Sequence, residues 1–341
     1  MHTTVVLPFS LPPPELAADL VRAVQAPNLA ALLSRSADFV RAPASEALRA
    51  LPHESWLAHA LGLGGDGALH FAAATMRGFG LDSVVAAGAD DWLIVHPCHI
   101  EIARTHLLMT DLRRLGLVES HARALFDSAK PYFDEDGHTL VYGDASTWFM
   151  RAGDWAELLT TSPDTTGGMN LTDCLPQGAQ ALAYRKLQNE VQMLWHAHPA
   201  NAEREARGLP AINGFWPWAG APANARPKQG IASANAPAWL AALGDTLHGH
   251  VGDWLAKAER PAILVEAGLI EPALATDWAS WLTQMQRIDA ELLGPLLAAV
   301  RDGMKAKLVL TRRDTSLEVA ASAMAQRTFW RSVSLERLLA S

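Results

Sequence analysis

Residues 189–220 read NEVQMLWHAHPANAEREARGLPAINGFWPWAG, and this stretch decides how the chain is read. Asn189, Gln192 and His196 recur at helical spacing and so share one face of a long helix expected over 179–196. Leu182, Leu187, Val191, Leu194 and Trp195 form the apolar stripe of that helix. Pro199 ends it, because the residue before a proline avoids the helical region. His198, Asn201, Arg204 and Arg207 then follow just beyond the helix end. Imidazole, amide and guanidinium groups gathered there suit an anion such as a phosphate or carboxylate. They equally suit a helix C-cap followed by a solvated helix start. A strand-like segment, 211–216, runs into a loop over 217–227. Trp216-Pro217-Trp218 fixes two indoles along an extended backbone, either lining a pocket or serving as an inter-domain packing wedge.

Outward from this stretch the texture divides in three. Toward the N-terminus, 3–9 reads as a short buried strand, stopped by Pro8 and the Pro12–Pro14 run. Helical spacing of Leu and Ala follows at 15–24 and 28–34, with Pro27 suited to the start of the second helix. Further helices are expected over 45–51, 55–61 and 69–76, around a glycine-rich run at 62–67. From Trp92 the order is strand (92–95), strand (100–108), helix (119–129), then strands 139–142 and 147–151 around a Gly143–Asp144 turn. That order predicts a small α+β unit with an antiparallel sheet. SPDTTGG at 162–168 is a loop by composition. The C-terminal third alternates helices over 239–247 and 278–300 with the apolar strands AILVE (262–266) and KLVLT (307–311), the pattern of a parallel, helix-covered sheet. The expected organisation is one α/β core made from 1–90 and 210–341, with an α+β unit inserted at 91–209.

Composition narrows the class. The 341 residues are 50% hydrophobic and 19% charged, which excludes a disordered chain. The length exceeds the roughly 250–300 residues at which one core stops growing. With 36 acidic and 28 basic residues the net charge is −8, and no long Lys/Arg run offers a phosphate-backbone footprint, so no nucleic-acid partner is expected. No apolar run approaches the roughly 18–20 residues of a membrane span. The first residues lack a basic n-region and carry three consecutive prolines, so a cytoplasmic protein is expected. Cys98 and Cys174 provide neither a disulfide framework nor a thiolate-rich metal site. In His196-x-His198 and His96-Pro-Cys-His99 the paired rings diverge on a helix or a strand respectively, which argues against a shared ion. No Gly-x-Ser-x-Gly nucleophile stands out, and the 62–67 run lacks the Lys-Ser/Thr ending of a phosphate loop. No catalytic residue, metal ligand or cofactor is assigned on this evidence.

The 189–220 stretch resembles the signature of the RpfE-like regulatory proteins of proteobacteria. These are grouped with the archaeal-type cofactor-independent phosphoglycerate mutases of the alkaline-phosphatase superfamily. The similar pattern is His198-Pro199-Ala200-Asn201, Arg204, Gly208 and Asn213; 92–151 looks like the same families' inserted unit, and APNLAALLSRSA at 26–37 is similar to a superfamily helix. The resemblance implies an α/β, alkaline-phosphatase-like core with a mostly parallel sheet and an inserted α+β subdomain with an antiparallel sheet. For an active member it also implies two divalent metals held by Asp and His, with a Ser or Thr nucleophile. This chain departs from that pattern at the ligands. The first strand runs into Leu7, Pro8 and Phe9 where the family has Asp-Gly. IEPALATDWASW at 270–281 contains no histidine, and KLVLTRRDTSLE at 307–318 keeps Asp314 without one. The expectation is a catalytically degenerate, phosphoglycerate-mutase-like protein with a regulatory or ligand-binding role. His198, Asn201, Arg204 and Asn213, walled by Trp216 and Trp218, are the expected contacts to a small anionic ligand. The alternative is an active mutase or phosphatase with rearranged metal ligands.

Overall fold

Val5, Val6 and Leu7 are completely buried, and the strand that carries them, His2–Leu7, is the middle strand of a seven-stranded sheet. The computed structural model describes residues 2–36, 39–43, 49–65, 68–88, 90–103, 106–257, 259–328 and 330–338. The chain divides into two compact units, one of residues 1–56 with 228–341 and one of residues 57–227. Each is described by itself.

In the first unit the sheet order is Asp245–Thr246, Ile231–Ala234, Ile263–Glu266, His2–Leu7, Lys305–Thr311, Thr315–Ala321, Phe39–Pro43. The first five strands are parallel and the last two antiparallel. Near-continuous apolar runs make this possible: Ile263–Glu266 is buried throughout, as a strand covered on both faces must be. Thr315–Ala321 instead alternates buried and more exposed positions, the pattern of a strand near an edge. The helix Trp278–Ile288 continues through a wider π turn, Asp289–Leu293, into Gly294–Arg301. The helix Pro27–Ser34 starts at Ala26, which has no side chain able to cap it. Asp289 does so from 261 residues away, accepting from Asn28 N at 3.2 Å and Leu29 N at 2.7 Å. Its Oδ2 also accepts from the Asn28 amide at 2.9 Å.

The second unit is built on a four-stranded antiparallel sheet in the order Gly214–Ala221, Trp92–Cys98, Trp148–Arg151, Leu140–Tyr142. Leu93, Val95, Trp148, Met150 and Phe215 form a core with Leu125, Phe133, Tyr184, Val191 and Trp195 of the helices Glu119–Glu135 and Ala181–His196. On the opposite face Phe71 meets Trp218 and Phe79 meets Phe149, both edge-to-face. The expected fold class, a mostly parallel α/β core plus an α+β unit with an antiparallel sheet, is the one observed.

Several boundaries move. The units divide at 56/57 and 227/228 rather than at 90/91 and 209/210. Strand 214–221 pairs with 92–98, and the residues around helix 72–78 pack on that same sheet, so both belong to the inserted unit. Pro217, expected in a loop, lies inside strand 214–221; this is an edge strand, where the missing N–H leaves no ladder bond unmade. The register shift between Trp218 and Ala221, with Ala219 at φ 55°, marks a bulge. The single strand expected over 100–108 is a hairpin of Ile100–Ala103 and His106–Met109. The 162–168 loop contains a short helix, Pro163–Thr166, capped by Ser162 and largely buried. The helix expected over 45–51 falls mostly outside the described residues. Among the described residues no helix is long and apolar enough to cross a membrane.

Candidate functional site

Burial and hydrogen bonding give the six residues singled out in 198–218 structural tasks. His198 precedes the helix Pro199–Ala206, and its Nδ1 accepts from Ala200 N at 3.2 Å. Burial holds its pKa below the ordinary imidazole value, which favours the neutral ring that such a cap needs. Asn201 is buried and fully bonded: its amide donates to Trp195 O (2.9 Å) and Ile212 O (2.7 Å), and its carbonyl accepts from Ile212 N (2.8 Å). Arg204 is completely buried, with Nε and Nη2 on Pro210 O (3.0 and 2.9 Å), Nη2 on Leu115 O (2.6 Å) and Nη1 on Gly116 O (3.3 Å). Asn213 plays the part of a strand residue toward Ile100, accepting from its N–H and donating to its carbonyl. The structure brings Asn201 and Arg204 together on one short helix that His198 caps. It places Trp216 and Trp218 across the sheet from Phe215 and its core, where Trp216 Nε1 donates to Thr161 O at 2.7 Å. In place of an anion pocket, Asn201 and Arg204 face main-chain carbonyls, which an incoming anion would have to displace.

The other place to look is the carboxyl edge of the parallel sheet, where open α/β sheets bind ligands. Strand 2–7 ends there in Pro8 and Phe9, the latter at φ 57°, an uncommon backbone for a bulky residue. Phe9 is locked on both sides: its N–H donates to Thr311 Oγ1 (3.3 Å), and its carbonyl accepts from Trp281 Nε1 (2.8 Å). The neighbouring Ser10 is buried and donates its hydroxyl to Leu7 O at 2.7 Å. On the adjacent strand, Glu266 is 1% exposed at the end of 263–266. Its Oε1 accepts from Asn235 Nδ2 (2.8 Å), Gly268 N (3.1 Å) and Arg287 Nη2 (3.3 Å), while Oε2 is buried without a partner. Burial raises the Glu266 pKa, against the opposing pull of Asn235 and Arg287. Asn235, at φ 53°, takes a left-handed turn to reach it. This cluster escaped the sequence reading, although a carboxylate closing the apolar run AILVE was the available signal.

These residues do not fit the two-metal set that the resemblance implies, which needs several carboxylates and imidazoles converging on the same edge. Glu266 has one free oxygen, Ser10 and Thr311 serve the main chain, and Asp314 sits in the 312–314 turn against Arg312 Nε at 2.6 Å. Among the described residues no three His, Cys, Asp or Glu side chains gather as a metal-holding group.

His96 of the second unit is the most strongly perturbed histidine. Its Nδ1 donates to Ser146 O at 2.6 Å, and its buried Nε2 has no partner. Burial lowers its pKa to about 4, against the hydrogen bond to Ser146. The native state therefore keeps the ring neutral while the unfolded chain takes up a proton below the ordinary imidazole pKa of about 6.5. This contribution to stability is complete above that value and is lost as pH falls from about 6.5 toward about 4. Wild type is expected to lose about 3 kcal/mol over that window through His96, and His96→Gln to show a correspondingly flatter profile in urea melts at a series of pH values. Superimposable profiles would refute the assignment.

No family model matches the chain, and no curated protein matches it at significance. Solved structures do. The cofactor-independent phosphoglycerate mutase from Thermoplasma acidophilum DSM 1728 matches at 14% identity over 100% of this chain and 95% of its own, with a TM-score of 0.47. The PH0037 protein from Pyrococcus horikoshii matches at 13% identity over 94% of this chain and 87% of its own, with a TM-score of 0.55. The Pyrococcus similarity extends through both units, and on it the fold of the chain is that of an α/β core interrupted by an α+β unit.

Proposed function

We propose that the chain is a catalytically degenerate relative of the phosphoglycerate mutases, with a regulatory, ligand-binding role in place of phosphoryl transfer. The observation that carries this reading is the lock at the end of strand 2–7. Thr311 and Trp281 each bond to the main chain of Phe9 where the resembling enzymes carry a carboxylate ligand. A nucleophilic hydroxyl needs an adjacent base or metal to be activated, and the Ser10 hydroxyl is donated to Leu7 O instead. The similarity of 189–220 to RpfE-like regulatory proteins supports the regulatory part.

Purified protein incubated with manganese and zinc, then stripped of excess ion, is expected to retain less than stoichiometric metal and to leave 3-phosphoglycerate unconverted. Stoichiometric metal together with turnover would overturn the reading in favour of an active enzyme with rearranged ligands.

A further inference from the structure

A cavity of about 250 Å³ opens in the second unit between Pro97, Leu112, Leu115 and Leu117, with Arg113 and Ser146 as its polar lining. We propose that it binds a small uncharged amide, its apolar substituent on the leucines and its amide group between Arg113 and Ser146. The inference deepens the ligand-binding role proposed above, on which it rests, by naming a site and a ligand class.

The charge around the cavity selects the class. Arg113 Nη1 donates to Asp111 Oδ1 (2.9 Å) and Asp164 Oδ1 (2.8 Å), and Nη2 donates to both Asp164 oxygens at 2.7 Å. Burial alone would lower the Arg113 pKa, but Asp164 and Asp111 outweigh it and hold the guanidinium charged. One cation thus faces two carboxylates. Asp144 adds a third, accepting from Ser146 N at 2.8 Å and Ser146 Oγ at 3.0 Å. With the Arg204 guanidinium on the carbonyls of Leu115 and Gly116, two cations stand against three carboxylates, so the balance is close to even and favours neither a carboxylate nor an ammonium.

The hydrogen-bonding groups left over have complementary polarity. All four Nη hydrogens of Arg113 are engaged by carboxylates, so Nε–H is the donor left for an acceptor. The Ser146 hydroxyl gives its hydrogen to Asp144, accepts from Thr147 Oγ1 at 3.2 Å and keeps one acceptor lone pair. One donor and one acceptor beside an apolar wall match an amide N–H and C=O. The wall is firm, because Arg204 ties the carbonyls of Leu115 and Gly116 from behind. The volume falls below the roughly 300–1,000 Å³ of drug-sized sites, so the ligand is fragment-sized.

The test titrates N-butylacetamide, pentanoate and pentylammonium into the full chain and follows backbone amide shifts by NMR. N-butylacetamide is expected to saturate in the millimolar range, with shifts concentrated at Gly116, Leu117 and Ser146, and both ions to bind at least tenfold more weakly. Ser146→Ala, at an exposed position that tolerates it, is expected to weaken amide binding about fivefold, the scale of one hydrogen bond. Equal or tighter binding of pentanoate, no saturable amide shift, or an unchanged Ser146→Ala affinity would each overturn the proposal. None of these outcomes depends on metal content or turnover, so an active enzyme would refute the functional reading while leaving the cavity's ligand class to be judged on its own titration.

Discussion

Replacing Arg204 with methionine is expected to destabilise the second unit by about 3–5 kcal/mol, among the largest effects of any single substitution in the chain. Methionine fills most of the volume but donates nothing. The carbonyls of Leu115, Gly116 and Pro210 would then lose a charged donor inside a dry environment. Each unsatisfied buried group costs about 1–3 kcal/mol. Arg204→Lys is expected to recover only part, because an ammonium cannot reproduce the planar fork that spans these three carbonyls. The check is chemical denaturation of both variants, combined with hydrogen exchange at the Ile212 amide, whose N–H is held by Asn201. A loss below about 1 kcal/mol for methionine would show that water reaches these carbonyls and that the guanidinium is replaceable.

Asp289→Ala carries the second large effect, about 2–4 kcal/mol, and it acts on the first unit. Most helix caps lie next to the helix they serve. Ala26 has no capping group, so the orphan N–H groups of Asn28 and Leu29 depend on a carboxylate from the π turn at 289–293. A negative charge at a helix start also opposes the helix dipole favourably, adding to the hydrogen bonds. Leu29, Leu32 and Leu33 are completely buried, so fraying of this helix start would disturb the core as well. Asp289→Asn keeps one acceptor and is expected to lose roughly half as much. Thermal melts of the three proteins, with exchange at the Leu29 amide, order the effects; an alanine variant as stable as wild type would remove Asp289 from the role of cap.

How far these features were legible in the sequence depended on whether their partners were side chains or main chain. The strands around AILVE and KLVLT were readable because burial on both faces demands uninterrupted apolar residues. The inserted unit was readable because strand and helix spacings change at Trp92. Sequence put His198, Asn201 and Arg204 just beyond the end of the long helix, but could not reveal that the partners of Asn201 and Arg204 are carbonyls at 115, 116, 195, 210 and 212. Every residue carries a carbonyl, so a buried arginine that binds three of them looks in sequence like one that binds an anion. Pro217 misled for a related reason: whether a proline breaks a strand depends on which edge lies open, a property of the sheet and not of the segment. Apart from Asp111 and Arg113, two positions apart, the Glu266–Asn235–Arg287 and Asp111–Arg113–Asp164 clusters join residues 21 to 53 positions apart, beyond any helical or strand period.

The pairing of the first strand has a consequence for synthesis. Thr4 lies beside Ile263 on one side and Lys307 on the other. The residues of the second unit, 57–227, emerge as one uninterrupted segment and can collapse as soon as they clear the ribosome. The opening strand must instead wait for about 250 further residues, roughly 10–50 s at ordinary elongation rates, with Val5, Val6 and Leu7 unpaired. A nascent chain of this design therefore leaves the apolar Val5–Leu7 end of that strand exposed until its partner strand at 263 is made, and chaperone occupancy should be highest before residue 263 appears.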